Sequence, residues 1–216
     1  AARRPEAEHA ALAMLRLSHA HPGELTFVML GPLTNLALAL SLDPDLPERV
    51  PRLVVMGGAV TGRGNTRLPV EFNTGFDPEA ARIVFERWPR FELVDWEATL
   101  RHGLAHEQCD LWFAADHELA RFYDAISRQT RAWSAGLRGP EWHSADALAM
   151  AQVLEPECAL ETVDRALTVE LAGEHARGMT VVDWLSRTGR PANARILMSY
   201  DRDRFEHLVR AAVGTA

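Results

Sequence analysis

The chain has 216 residues, 47% hydrophobic and 25% charged, enough for one sizeable domain with a real core. Its 23 Lys+Arg against 30 Asp+Glu leave a net charge of -7, which argues against a nucleic-acid footprint, since that needs clustered basic charge, and favours a small neutral or cationic partner. The two cysteines, Cys109 and Cys158, lie far apart in no metal-type spacing, so a disulfide framework is excluded and two buried thiols in a reducing compartment are expected.

No apolar run approaches the ~20 residues that span a bilayer, and no secretory signal opens the chain. A cytoplasmic protein with no membrane partner is the expectation. The first residues, 1–23, read as a helix in mid-domain without an initiator Met. A segment preceding Ala1 is therefore expected.

Ala10, Ala13, Met14, Leu17 and Ala20 recur at helical spacing until Pro22-Gly23. Residues 24–30 form a short β-prone stretch closed by Gly31-Pro32, and LTNLALALSL then gives a helix up to Asp43-Pro44. PRLVVMGG repeats strand and glycine turn. DPEAARIVFERW is a helix with Asp77 as N-cap and Pro78 at its first position. FELVDW is a third strand, and residues 104–137 are mostly helical. A further helix covers 143–154, DRALTVELAG and ARGMTVVDW read as strands, and ARILMSY is the last strand before a closing helix over 202–213.

Strands alternating with helices predict an α/β fold, a mainly parallel sheet flanked by helices, in one domain over 1–216. The late strand-strand-strand-helix section is expected to pair antiparallel at the sheet edge. Ligands of such sheets bind beyond the carboxyl ends of the strands, where Leu30-Gly31, Met56-Gly57-Gly58 and Asp95-Trp96 fall.

The densest polar signal is MGGAVTGRGNTRLPVEFNTGFDPEAA, with four glycines in the eight residues after Met56, then Asn65, Glu71 and Asn73. A Walker loop would end in Lys-Ser/Thr and a dinucleotide loop would read G-x-G-x-x-G; both are absent. Asn amides donate and accept, whereas an ionised Glu only accepts, a set suited to the hydroxyls of a polyol such as ribose. The alternative on residue types alone is that Asn65 and Asn73 occupy turns and Glu71 is solvated. A sugar-phosphate enzyme would need basic side chains at this turn, and only Arg63 and Arg67 are near it.

GPLTNLALAL, VVMGGA…GN…EFN…DPEAA, ADALAMAQVLEP and VELAGEHARGMTVVDW together resemble the inosine–uridine-preferring nucleoside hydrolases, over nearly the whole chain from about Leu25. The resemblance implies the Rossmann-like nucleoside hydrolase fold, with the family's N-terminal strand missing. It also implies calcium-assisted hydrolysis of the N-glycosidic bond of ribonucleosides, a nucleoside partner and a place in purine or pyrimidine salvage. Asp146 and the backbone carbonyl of Leu30 would be Ca²⁺ ligands, and Met56, Asn65, Glu71 and Asn73 would line the ribose pocket.

Two departures accompany it. The family's opening D-x-D-x-x-x-D-D motif, with further calcium ligands and the general base, does not occur; Asp43 and Asp45 have part of its spacing but sit at a helix end. The position just before the calcium aspartate, where some members have a general-acid His and others a base-stacking Trp, is Ala145, so His143 with Trp142 is expected to substitute. The alternative places His143 exposed at a helix N-terminus. Asp95, Trp96 and Glu97 are expected at the pocket rim, with Trp96 as core the competing reading. The alternative to an active hydrolase is a catalytically inactive ribose-binding or interaction remnant.

A sheet without its N-terminal strand exposes an apolar edge. The polypeptide alone is therefore expected to form a homo-oligomer that covers that edge or to be partly unstable. Light scattering showing a monodisperse monomer, together with a sharp cooperative melt, would overturn this.

Overall fold

The structure, a computed structural model, describes residues 4–216; the part of the opening helical reading that covers residues 1–3 lies outside them. The elements in chain order are α1 (Ala10–Ala20), β1 (Thr26–Met29), α2 (Thr34–Leu42), α3 (Leu46–Arg49), β2 (Arg52–Met56), α4 (Phe72–Phe76), α5 (Pro78–Arg87), β3 (Phe91–Val94) and α6 (Trp96–Arg101). They continue with β4 (Leu104–Ala105), α7 (His106–Phe113), α8 (Glu118–Arg138), β5 (Glu141–Trp142), α9 (Ala145–Leu154), β6 (Ala159–Arg165), β7 (Leu167–Val169), β8 (Thr180–Val182), β9 (Ala194–Tyr200) and α10 (Arg202–Ala212). The contacts divide the chain into two compact units, Ala1–Glu97 with Val163–Ile196 and Ala98–Thr162 with Leu197–Ala216. Among the described residues no helix is long and apolar enough to cross a membrane.

The main sheet has the order β1-β2-β3-β9-β6. In the first unit its pairs are parallel: Val28 stands beside Val54, Val55 beside Leu93, and Leu93 beside Ile196. Leu53, Val54, Val55, Leu93 and Val94 are all buried, as expected of parallel strands covered on both faces. The α2 and α5 crossovers lie side by side. Asp77 links their starts, accepting from the Ala80 amide (3.0 Å) as the N-cap of α5 and from the Thr34 hydroxyl (2.5 Å) at the start of α2. The α/β expectation with a mainly parallel sheet therefore holds.

The late strands pair differently from the expectation. β9 runs parallel to β3 inside the main sheet, and β7 and β8 form an antiparallel ribbon of their own, Leu167 opposite Val182. The seven-residue strand β6 has no counterpart in the sequence reading. It is an edge strand of the composition ALETVDR, largely exposed, with no apolar alternation to reveal it. The long helical stretch breaks at residues 114–117, and the helix expected from 143 begins at Ala145 because β5 ends just before it.

The second unit is mostly helical. Arg131 of α8 is buried, bonds Asp124 and Asp110 and lies 4.5 Å above the Phe113 ring, so one guanidinium joins α8 to α7. The His102 ring donates from Nδ1 to the Ala98 carbonyl (2.7 Å) while Nε2 accepts the Tyr200 amide (3.0 Å). The Tyr200 hydroxyl reaches the Ala151 and Glu155 carbonyls at the end of α9.

At the turn after β2, Gly58 has φ +77° and a Cβ there would collide with the buried Thr180 Oγ1 of β8. Gly58→Ala combines a left-handed non-glycine residue, costing about 1–3 kcal/mol, with that collision. A thermal melt should fall by several degrees. Thr180→Ala in the same chain should restore the steric part alone, placing the double variant between the two; a Gly58→Ala protein melting like the wild type would overturn this account of the turn.

Candidate functional site

The sheet register brings the first candidate residues to one level. Met29 pairs with Val55, so Leu30 stands one step further on, level with Met56, and Met56 in turn pairs with Val94. Leu30 is half-buried and Met56 buried. This is the carboxyl end of the strands, where open α/β sheets place their ligands.

Glu71 organises the polar residues there. It is the N-cap of α4, and its Oε2 accepts from the amides of Asn73 (2.9 Å) and Thr74 (3.2 Å). Caps are usually shorter side chains; the extra length of Glu lets the same oxygen also accept the Gly58 amide at 2.9 Å. Asn73 donates from Nδ2 to the Met56 carbonyl (3.1 Å) and to Met56 Sδ (3.3 Å). Asn65 Oδ1 accepts the Phe72 amide at 2.8 Å, and the Asn65 side chain also hydrogen-bonds Glu71. Met56, Asn65, Glu71 and Asn73 thus gather in one place in the first unit. Glu71 is 2% exposed, so the solvated-surface reading of this residue is wrong.

Burial raises the Glu71 pKa, and the amides of Asn73, Gly58 and Thr74 with the Asn65 side chain only partly offset it. Oε2 takes all three amides and Oε1 none of them. Such a carboxylate can offer Oε1 to a ligand hydroxyl.

The rim expectation for Asp95, Trp96 and Glu97 needs correcting. All three are buried. Asp95 accepts the Val60 amide (2.9 Å). Glu97 accepts the Thr61 amide (2.7 Å), the Thr61 hydroxyl (2.5 Å), the Arg63 amide (3.3 Å) and the Arg63 guanidinium (3.0 Å). Trp96 sits in the core. With Arg63 engaged by Glu97, a phosphate nest loses one of its two basic residues. Asp43 accepts from Arg49, His19 and the Asp45 amide at the end of α2, the helix-end role expected of it.

In the second unit Asp146 lies in the first turn of α9, where negative charge suits the helix dipole. It lines a cavity of about 540 Å³ together with Phe113, Tyr123, Ile126, Trp142 and Ser144. Asp146 is exposed at this cavity, yet the apolar surroundings desolvate its carboxyl and raise its pKa. The His143 side chain is 7% exposed, 3.9 Å from Glu141 Oε2 and outside that lining. Exposed placement of His143 is thereby excluded. Burial lowers its pKa, opposed by Glu141 and assisted by Arg138 and His106.

Among the described residues no three His, Cys, Asp or Glu side chains come together in a way that could hold a metal ion. A Ca²⁺ shell takes six to eight oxygens. One carboxylate from Asp146 and one carbonyl from Leu30 do not make that shell.

The family model described as inosine-uridine preferring nucleoside hydrolase matches residues 1–207, and the chain belongs to this family. It is 33% identical over 210 residues to the pyrimidine-specific ribonucleoside hydrolase RihA of Enterobacter sp. (strain 638), covering 95% of this chain and 66% of that protein. To RihA of Salmonella newport (strain SL254) it is 34% identical over 203 residues, covering 91% and 63%. The chain thus spans slightly less than two thirds of the length of these relatives. A solved inosine-guanosine nucleoside hydrolase superposes with a TM-score of 0.87 at 30% identity, covering 97% of this chain and 68% of that one. The plant nucleoside hydrolase PpNRh1, at 24% identity, shares the fold with a TM-score of 0.90, covering 100% and 70%.

The raised pKa of Glu71 fixes the sign of its effect on stability. Its contribution is fully present below the ordinary Glu range and is lost as pH rises through the folded value. Glu71→Gln removes the cost of the buried charge and keeps an acceptor for the amides, so at pH 8 it should melt at or above the wild type. Glu71→Ala leaves three amides without their acceptor and should lose about 1–3 kcal/mol, some 2–4 °C per kcal/mol for a chain of this size. Melting curves of the two variants at pH 5 and pH 8 check both; equal losses in both at pH 8 would refute the assignment.

Proposed function

We propose that this chain carries the sugar-holding machinery of a ribonucleoside hydrolase that splits the N-glycosidic bond into free base and ribose. The observation that carries this reading is the buried Glu71, one oxygen locked by three amides and the other outside those bonds, set beside Asn65 and Asn73. Acceptors and amide dipoles in that arrangement match a polyol, and family membership makes ribose the polyol.

In the reaction the C1′–N bond breaks with its electron pair leaving on the base, water supplies the new C1′–O bond and sheds one proton to the surrounding water, and positive charge grows on the sugar meanwhile. A fixed carboxylate with a desolvated environment stabilises that charge as it develops. Because the Glu71 carboxyl is raised, this assistance is lost on acidification at a higher pH than for an ordinary Glu. The departing base needs a proton, and His143 is the residue proposed to supply it, directly or by relay. Its lowered pKa leaves it mainly neutral at pH 7, so it acts after taking up a proton.

Calcium belongs to the same proposal through the family: Asp146 and the Leu30 carbonyl would contribute two oxygen donors, where the ion would polarise the attacking water. The described residues do not complete its shell, and no step here is routed through it. The second reading is a catalytically inactive ribose-binding or interaction remnant. Two free cysteines support a reducing, cytoplasmic location, and a homo-oligomer remains part of the proposal.

A reducing-sugar assay with inosine and uridine, with and without added Ca²⁺, separates the two readings. Hydrolysis should fall by about 10-fold or more in Glu71→Gln, the scale of a lost charged hydrogen bond, and should fall likewise in Asp146→Ala. His143→Ala should impair inosine cleavage and spare p-nitrophenyl riboside, whose leaving group needs no proton. Ribose binding without release of base would establish the remnant; neither binding nor release would refute the sugar site.

A further inference from the structure

The loop between Met56 and Glu71 contains Gly57, Gly58, Gly62 and Gly64. Four glycines give a segment wide conformational freedom and no side chains to pack. Yet it must deliver Asn65 to one place, where its Oδ1 meets the Phe72 amide and its side chain meets Glu71. Something outside the loop has to restrain it.

Parts of the loop restrain themselves. Gly62 N–H donates to Ala59 (3.1 Å), Gly64 N–H to Leu68 (3.1 Å) and Asn65 N–H to Val70 (3.1 Å). Val60 is held from both sides, its amide by Asp95 and its carbonyl by the Trp184 indole (3.3 Å). The amides of Thr61 and Arg63 go to a single side chain, Glu97, which also takes the Thr61 hydroxyl and the Arg63 guanidinium. Arg63 stands two residues before Asn65, so slack at Arg63 moves Asn65 by ångströms, within the ~7 Å that two residues span.

We propose that Glu97 is a positioning residue for the sugar site: it pins Thr61 and Arg63 and thereby sets Asn65 against Glu71. The proposal rests on the ribose reading above and adds a residue that touches no substrate. Burial pushes the Glu97 carboxyl up, but the bonds from Thr61 and Arg63 outweigh it and the net shift is downward. The carboxylate is therefore ionised wherever the protein is folded near neutral pH, as a four-bond acceptor must be. Glutamine in its place keeps one acceptor oxygen and turns an amino group toward the Thr61 and Arg63 donors.

The test combines amide hydrogen exchange with an NMR titration of D-ribose on the full chain, for wild type, Glu97→Gln and Thr61→Val. The last removes a single hydroxyl and carries the test should Glu97→Gln fail to fold. In Glu97→Gln the Thr61 and Arg63 amides should exchange at least 10-fold faster while Val54 and Leu93 of the sheet stay unchanged, and ribose affinity should fall about 10-fold in a chain that still melts cooperatively. Thr61→Val should show the same pattern, weaker. Loop amides that stay protected in both variants overturn the clamp. Faster exchange with wild-type ribose affinity overturns its link to Asn65. A wild-type protein that binds no ribose overturns the sugar reading and this proposal with it, by a measurement separate from the exchange.

Discussion

A carboxylate removed from water has to be matched by donors, and the first unit is arranged around one such match. Glu71 Oε2 takes amides from two places that are distant in sequence, Gly58 at the end of β2 and the first turn of α4. Each amide needs an acceptor because it is buried, and the carboxylate needs all of them because it is charged. The strand end, the helix start and the placing of the Glu71 carboxylate are therefore set by one interaction. Asn73 then ties the same helix back to Met56, so the helix cannot shift along the strand without breaking both.

How much of this the sequence discloses depends on how local the cause is. The Asp77-Pro78 start of α5 and the apolar runs of β2 and β3 are decided by neighbouring residues, and they appear where the pattern puts them. The grouping of Asn65, Glu71 and Asn73 was also readable, because a short loop and a short helix confine them. Composition alone made Glu71 look solvated, however; its burial depends on Gly58, thirteen residues earlier, and on a helix of five residues too short for periodicity to reveal. β6 shows the opposite failure. Its position at the sheet edge permits polar residues on both faces, so alternation never develops.

The second unit is less legible for a different reason. His143 and Asp146 are three residues apart and the sequence treats them as partners, but Asp146 stands in the first turn of α9 while His143 precedes that helix, and their surroundings differ. Asp146 meets the cavity with Trp142 and Ser144, and His143 is enclosed beside Glu141. Opposite pKa directions follow from the same physical cause: desolvation disfavours charge, which raises a carboxyl and lowers an imidazole. No residue type in the sequence signals that difference. It comes from the surroundings the fold gives each side chain, an apolar cavity for one and an enclosed place beside Glu141 for the other.

The glycines after Met56 invite a phosphate-loop reading, and the structure gives them another purpose. Gly58 lets Thr180 of the β7–β8 ribbon approach, with Thr180 Oγ1 buried there without a hydrogen-bond partner among the described residues. Gly64 lets the Val70 backbone close the loop, and Gly57 leaves space beside Glu71. Close approach, not anion binding, explains their positions. Backbone packed that tightly still needs its directions fixed, since glycine supplies room and no restraint. Those directions come from side chains elsewhere: Glu71 from the start of α4, Asp95 and Glu97 from beyond β3, Trp184 from beyond β8. A site built from permissive backbone and buried acceptors is sensitive to any residue that removes an acceptor, and tolerant of changes in loop side chains that make no bond to one.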